Sequence, residues 1–293
     1  MRSRLREAVS VTAKRAGTSL KSLPLDCLLD GGGDPSSLSR KELVEEGGYV
    51  FFLGRLLKQF GVEPRAAIHL GGNTGQESIP YMMMGFEKVL YVEAHPETFR
   101  QLQQNLEQLN LMEREVASYL GTSPLTQFAG IQAAVSDREG EGTLYLMGSS
   151  LFASTRKPVG FSEWVDWVLE RSTPQEAQDF SKWAKEELRA TGEMRVPFRT
   201  LDSIMTRDLP HGWRVEDFNV LGMNIQGAEL DALRGSEKTL RHIEFIQTEL
   251  NYVEHYQGNP TAAQLDELLF GLGFKSVATV RAGPVGTGVY VRK

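Results

Sequence analysis

IHLGGNTGQE, residues 68–77, joins a short apolar run to a glycine-rich turn and then to polar residues. Ala66–Leu70 has the length and apolarity of a buried strand, and Gln76–Met84 reads as the helix that follows, despite Pro80. Lys88–Val92 is a second short strand, ending at Glu93. Pro96–Leu109 places Phe99, Leu102, Leu106 and Leu109 at helical spacing. Gly130–Val135 reads as a third strand and Gly142–Met147 as a short extra one. Strand–helix–strand–helix–strand is the pattern of a parallel sheet covered on both faces.

The alternation then pauses. Residues 156–195 carry Trp164, Trp167, Trp183 and many charges, and read as two amphipathic helices joined near Pro174. Such an insertion lies near the carboxyl ends of the strands, where open α/β sheets bind ligands. Alternation resumes with Asn219–Met223 as a strand, Ala228–Leu240 as a helix, Glu244–Leu250 as a strand and Thr261–Leu272 as a helix. Phe274–Val280 and Gly288–Arg292 close the chain as a hairpin turning at Gly283–Gly286. No internal repeat or low-complexity tract occurs. Upstream, residues 23–39 have the Gly, Pro and Ser content of a linker. Residues 40–60 read as a helix capped by Ser39 and Glu42 and bent at Gly47–Gly48. The division is an N-terminal basic, helical extension over 1–60 and one main domain over 61–293, with 156–195 as a helical lid.

The 293 residues are 41% hydrophobic and carry 32 cationic against 38 acidic side chains, a net charge of −6. That balance argues against a phosphate-backbone binder, so no nucleic acid partner is expected. No apolar run approaches the roughly 20 residues of a membrane span. Cys27 is the single cysteine, which excludes an intrachain disulfide and a cysteine-based zinc site and favours a cytoplasmic protein. Residues 1–22 hold Arg2, Arg4, Arg6, Lys14, Arg15 and Lys21 against Glu7 alone. This +5 stretch suits a transit peptide, a membrane-surface helix or a nucleic-acid arm; a solvated helix or an arm on a neighbouring subunit fits it better. A homo-oligomer is left open.

Glycines after a first strand let backbone approach a ligand, and the next helix points its N-terminus there. Glu93 ends the second strand 18 residues after Gly75. An acid at that place suits hydrogen bonding to both ribose hydroxyls of an adenosine cofactor. Gly71, Gly72 and Gly75 do not fit the G-x-G-x-x-G pattern of nicotinamide folds. With the terminal hairpin, this favours a methyl donor, S-adenosylmethionine, over a dinucleotide.

IHLGGNTGQE, KVLYVEAHPETFRQLQQNL, IQAAVSDREGEGTLYL, VPFRTLDSI, NVLGMNIQGAELDALRGSEKTL and IQTELNYVEHYQG resemble, in order, the FkbM-type methyltransferase family. The resemblance spans about residues 65–292. It implies an α/β, Rossmann-like seven-stranded sheet, S-adenosylmethionine as donor and a hydroxyl acceptor on a small natural product or sugar. It implies that Gly71, Gly72, Asn73 and Gly75, with the adjoining Glu77, underlie the methionine part of the donor. It sets Glu93 on the ribose, with Ala94 and His95 beside the adenosine and Ala134, Val135 and Ser136 along the adenine edge. Asn224 and Gln226 would face the transferred methyl, and Leu201-Asp202 matches a family pair. The chain departs from the family at Asn224, where relatives usually carry Asp. An Asn is neither a general base nor a strong metal ligand.

Methyl transfer to an alcohol needs alignment of the acceptor and removal of its proton, so a base near neutral pKa is sought. Of the five histidines, His69 in the first strand reads as packed core, His211 as exposed, His242 as a helix-end cation and His95 as an adenosine neighbour. His255, after the fifth strand, is the first candidate base. Glu249 is the next, as base or cation ligand. Asp202, Glu229 and Glu249 are oxygen donors, but no metal site is expected. Met82–Met84 read as core. Trp164, Trp167 and Trp183 either line an acceptor pocket or form the insertion's own core. Ser149, Ser150 and Ser154 would edge the entry. Two other functions stay open: a donor-binding but inactive partner protein, suggested by Asn224, and a nicotinamide-dependent oxidoreductase.

Overall fold

The computed structural model describes residues 48–293, with side chains from Leu53 onward; the expectations for residues 1–47 lie outside the described residues. Helix α1 (Gly48–Gln59) sets Leu53, Leu56 and Leu57 on one face, and all three are buried. Strand β1 (Ala66–Leu70) is buried at every position, as a central parallel strand should be. Helix α2 (Ser78–Met84), strand β2 (Lys88–Glu93) and helix α3 (Pro96–Leu120) follow. His95 caps α3, its Nδ1 accepting from the Thr98 amide, with Pro96 at the first position.

Strand β3 (Gln127–Gln132) leads into a two-residue strand β4 (Ala134–Val135), then β5 (Gly140–Met147). Helices α4 (Ser162–Leu169) and α5 (Pro174–Glu187) form the insertion, and β6 (Ala190–Arg199) returns to pair with β5 and β4. Next come α6 (Leu201–Arg207), β7 (Val220–Met223), α7 (Glu229–Arg234), β8 (Phe245–Asn251), α8 (Ala262–Gly271), β9 (Phe274–Ala282) and β10 (Val285–Arg292).

The main sheet has seven strands in the order β3-β2-β1-β7-β8-β10-β9. Its first five are parallel, and β10 runs antiparallel between β8 and β9. One face packs α1, α2 and α3 through Leu57, Tyr81, Phe86 and Leu102. The other packs α6, α7 and α8 through Leu201, Leu233 and Leu269. The order reverses direction between β1 and β7, so a crevice opens at their carboxyl ends. The helix Gly48–Gln59 shares its apolar cluster with β1 and β2, so it is part of the main core.

Three expectations need correction. Gly130–Val135 is not one strand: Ala133 bonds back to the Glu93 carbonyl, and Ala134 and Val135 leave for the small sheet. The insertion does not run helically to residue 195, because β6 starts at Ala190. Val196 and Phe198 alternate inward there, a period of two that the helical reading overran. The helix expected over Ala228–Leu240 ends at Arg234. A Cβ on Gly235 would sit 2.0 Å from the Ser136 carbonyl oxygen, so the chain turns tightly against the loop after β4. A short 3-10 turn, Thr239–Arg241, replaces the rest.

Candidate functional site

A cavity of about 200 Å³ opens at the carboxyl ends of β1, β2, β7 and β8. Gly71 adopts φ +81°, and a Cβ there would lie 2.0 Å from the Asn224 carbonyl oxygen. Only a glycine lets the turn after β1 approach the tip of β7 so closely. Asn73 is also left-handed, with φ 42°. Its amide donates to Glu93 Oε2 at 2.9 Å, and the His95 amide donates to Glu93 Oε1 at 2.8 Å. Both carboxylate oxygens are therefore held by backbone from two loops. Burial raises the Glu93 pKa, and those amides oppose the rise.

Of the positions expected to bind the donor, Gly71, Asn73, Glu77, Glu93 and Ala94 line the cavity on this side, and Ala134 and Val135 on the next. Asn224 and Gln226 line it from the tip of β7. Gly72, Gly75, His95 and Ser136 do not. A Cβ on Gly72 would press on Tyr91 at 2.9 Å, and one on Gly75 on Leu102 at 3.0 Å, so both serve helix–sheet packing. His95 is occupied as the α3 cap. Ser136 is buried beyond the cavity wall, its amide bonded to the Arg199 carbonyl.

The β7–β8 side is crowded with polar groups. Gln226 takes φ 55°, uncommon for a side-chain-bearing residue. Its Nε2 stands 2.6 Å from Asn224 Oδ1 and 3.3 Å from Glu249 Oε2. Its Oε1 stands 3.0 Å from Tyr256 Oη, and its carbonyl accepts from Ser154 Oγ at 2.7 Å. Glu249 lines the cavity, and burial pushes its carboxyl up to about 8, with the neighbouring Glu229 adding in the same sense. Glu229 is fully buried at the start of α7; its Oε1 accepts from the Ile225 and Gly227 amides. Its other oxygen has no partner, and burial raises its pKa too.

The structure removes His255 from the cavity. Its ring stacks on Phe161 at 5.3 Å, Nδ1 lies 3.1 Å from the Gly160 carbonyl, and burial pulls its pKa down. It anchors the lid, because the fold turns the chain after β8 back beneath the insertion. Asp202 is likewise elsewhere: it accepts from the Lys238 and Thr239 amides and the Thr239 hydroxyl. The tryptophans split. Trp164 and Trp183 pack with Phe152 and Phe180 as the insertion's own core, while Trp167 covers Gly283 in the terminal hairpin. Ser150 and Ser154 edge the cavity, and Asn73 Nδ2 donates to Ser150 Oγ. Among the described residues, no group of three or more His, Cys, Asp or Glu gathers as a metal site. No described helix is long and apolar enough to cross a membrane.

His69 is packed core, as read, and it also reaches the cavity wall. It is only 8% exposed, yet it lines the cavity, with Nδ1 2.9 Å from Tyr81 Oη and its pKa lowered by burial. His69 pairs in register with Gly222, and Gly222 with Gln247, so the three share one face. A Cβ on Gly222 would lie 3.1 Å from Tyr81 Oη and 3.2 Å from His69 Nδ1. That strand glycine was the available signal of a close approach. Tyr256, which reaches Gln226 across 30 residues, left no such signal.

The profile of the Methyltransferase FkbM domain matches residues 69–276. This chain belongs to that family. The 2-O-methyltransferase NoeI of Sinorhizobium fredii (strain NBRC 101917 / NGR234) is 28% identical over 146 residues, 50% of this chain and 53% of that protein. The chain thus matches about half the length of this curated relative. The FkbM methyltransferase of Methylobacillus flagellatus KT is 13% identical, with a TM-score of 0.43 over 78% of this chain and 44% of that one. Magnesium protoporphyrin IX methyltransferase of Synechocystis PCC 6803, solved with bound SAM, is 12% identical at a TM-score of 0.42, covering 92% and 91%. FkbM membership makes the cavity at the β1–β7 reversal the place to seek methyl transfer.

Proposed function

We propose that this chain transfers the methyl group of S-adenosylmethionine to a hydroxyl of a small natural product or sugar, with Glu249 as general base. The observation that carries the reading is one cavity that holds two acids of different character, Glu93 and Glu249, on opposite sides. Glu93, braced by backbone amides, suits a ribose diol; Glu249, buried and raised toward neutrality, suits proton removal. The residues present fit the donor. Gly71 leaves room for backbone approach, and Ala94, Ala133, Ala134 and Val135 offer an apolar wall to a nucleobase. The NoeI resemblance, limited to half of each chain, agrees with an oxygen acceptor.

S-adenosylmethionine, when bound, supplies an already activated methyl, so the protein's work is alignment and proton management. Glu93 and the turn at Gly71–Asn73 would orient the nucleoside. Ser150, Ser154 and the lid would exclude water. Glu249 would accept the acceptor's proton as its oxygen attacks. Asn224 cannot take that role, but its amide lies in the same hydrogen-bond cluster as Glu249.

The test is calorimetric titration with S-adenosylmethionine, S-adenosylhomocysteine and NADH, with Glu93→Ala as control, followed by turnover on a panel of hydroxyl acceptors. Binding of both adenosyl compounds, lost in the variant, supports the donor site. Binding of NADH instead would overturn it. Asn224 motivates the second reading, an inactive donor-binding partner: binding without turnover, with activity returned by Asn224→Asp, would favour it.

A further inference from the structure

Counting hydrogens at the β7–β8 tips exposes a conflict. Tyr256 Oη lies 3.0 Å from the Phe152 carbonyl oxygen and 3.0 Å from Gln226 Oε1. Both are acceptors, and a phenol has one proton to donate. The two orientations of an amide differ only by exchanging O and N, so the network decides between them. With the Gln226 amide reversed, Tyr256 donates to Phe152 and accepts from the Gln226 NH2. The Gln226 oxygen then faces Asn224 and Glu249. It can accept from the Asn224 NH2, and from Glu249 only if Glu249 carries a proton. The reversed arrangement gives the Phe152 carbonyl, Tyr256 Oη and Gln226 Oε1 each a complementary partner; the other leaves one of the two acceptors at Tyr256 short.

We propose that Gln226 is a positioning residue whose side-chain amide reverses with the protonation of Glu249. Protonated Glu249 donates to the Gln226 oxygen; ionised Glu249 accepts from its NH2. The inference rests on Glu249 being the base. The chain Phe152–Tyr256–Gln226–Glu249 ties the carboxyl to the 3-10 turn Ser150–Phe152, which packs on the lid through Trp164 and Trp183. It also gives Asn224 a use. An ionised Asp at that position could only accept, which would hold the Gln226 NH2 toward it and oppose the reversal. An Asn serves either orientation.

The groups facing Glu249 are few. Gln226 comes from the loop after β7, Glu229 from α7, Asn251 from β8 itself, Tyr256 from the loop after β8, and Thr287 stands opposite in register on β10. Glu229 carries the one other charge, and Arg156, paired with Asp231, acts on it. Gln226 and Asn251 bring amides to Glu249, and Gln226 is the one bonded onward to Tyr256 and so to the Phe152 carbonyl.

Two readouts separate this proposal from the base assignment. Glu249→Gln should abolish the acidic limb of kcat/KM if Glu249 is the base. Tyr256→Phe keeps the ring but removes the acceptor for the reversed NH2. Gln226 then keeps its NH2 toward Glu249 and favours the ionised carboxyl. The acidic limb should move down by about one pH unit, a tenfold gain in relative activity at the foot of the limb. A lower rate with the limb unmoved would overturn the reversal and leave the base standing. The second readout needs no turnover. The Gln226 side-chain 15N resonances, followed in the resting wild-type protein from about pH 6 to about pH 9, should shift with the Glu249 titration and stay flat in Glu249→Gln. Flat resonances in the wild type would overturn the proposal even if Glu249→Gln proved active.

Discussion

The two sides of the cavity are built on different principles. On the β1–β2 side, Glu93 is held by the Asn73 and His95 amides, and the turn depends on the positive φ of Gly71. Backbone amides position Glu93, and both donors lie within twenty residues of it in sequence. On the β7–β8 side, Asn224, Gln226, Glu249 and Tyr256 bond side chain to side chain, with Glu229, held by the Ile225 and Gly227 amides, beside Glu249. Glu229 adds to the upward push that burial gives Glu249. The first side is rigid and suited to a constant ligand. The second joins groups from distant segments around one buried carboxyl.

The largest effect should come from breaking the β7–β8 side. Glu249→Gln should lower kcat by about 10²–10⁴, the usual worth of a general base. Calorimetric binding of S-adenosylhomocysteine should change little, which would separate the two sides of the cavity. A variant that lost donor binding equally would erase the distinction.

Glu93→Ala breaks the braced side. It removes a charged hydrogen-bonding group worth about 1.5–3 kcal/mol, so donor affinity should fall about 10- to 150-fold. Residual turnover at saturating donor should keep the wild-type pH profile. A shifted profile would mean that the two acids communicate.

Gly71→Ala tests the contact between the sides. The added Cβ meets the Asn224 carbonyl at 2.0 Å in a backbone conformation that alanine avoids. Thermal unfolding should show a loss of about 1–3 kcal/mol, with weakened donor binding. Unchanged stability would mean that the turn tolerates another conformation.

The smallest effect is on stability against pH. Glu249 and Glu229 are raised in the folded protein above their unfolded values. The folded state therefore binds more protons than the unfolded state above about pH 4.5, and stability falls as pH rises toward about 8. Each group contributes at most about 1.4 kcal/mol per pH unit. In Glu249→Gln the decline in melting temperature over this range should be shallower than in the wild type. An unchanged slope would show that Glu249 is ordinary in the folded state.

The reading from sequence brought the right groups together where local chemistry suffices: the turn after β1 and the acid ending β2 meet at the cavity. Glycines after a strand and an acid at the end of the next lie near one another along the chain as they do in space. It failed where one residue had to be judged by a distant neighbour. His69 is core, as read, but its place on the cavity wall was not legible, because the glycine beside it, Gly222, is 153 residues away in the chain. His255 looked like a base because it follows β8, yet Phe161 and the Gly160 carbonyl hold it under the lid. The strand Ala190–Arg199 was half hidden because its inward positions are few and its outward ones are charged.

By itself, the sequence determined the alternating α/β order, the parallel core strands, the family and the glycine turn after β1. These follow from apolar periodicity and from backbone needs that only glycine meets. Tertiary structure alone decided which acid is buried enough to titrate near neutrality and which amide lies against it. Burial and pairing across distant segments set a carboxyl's proton affinity, and no local pattern encodes them.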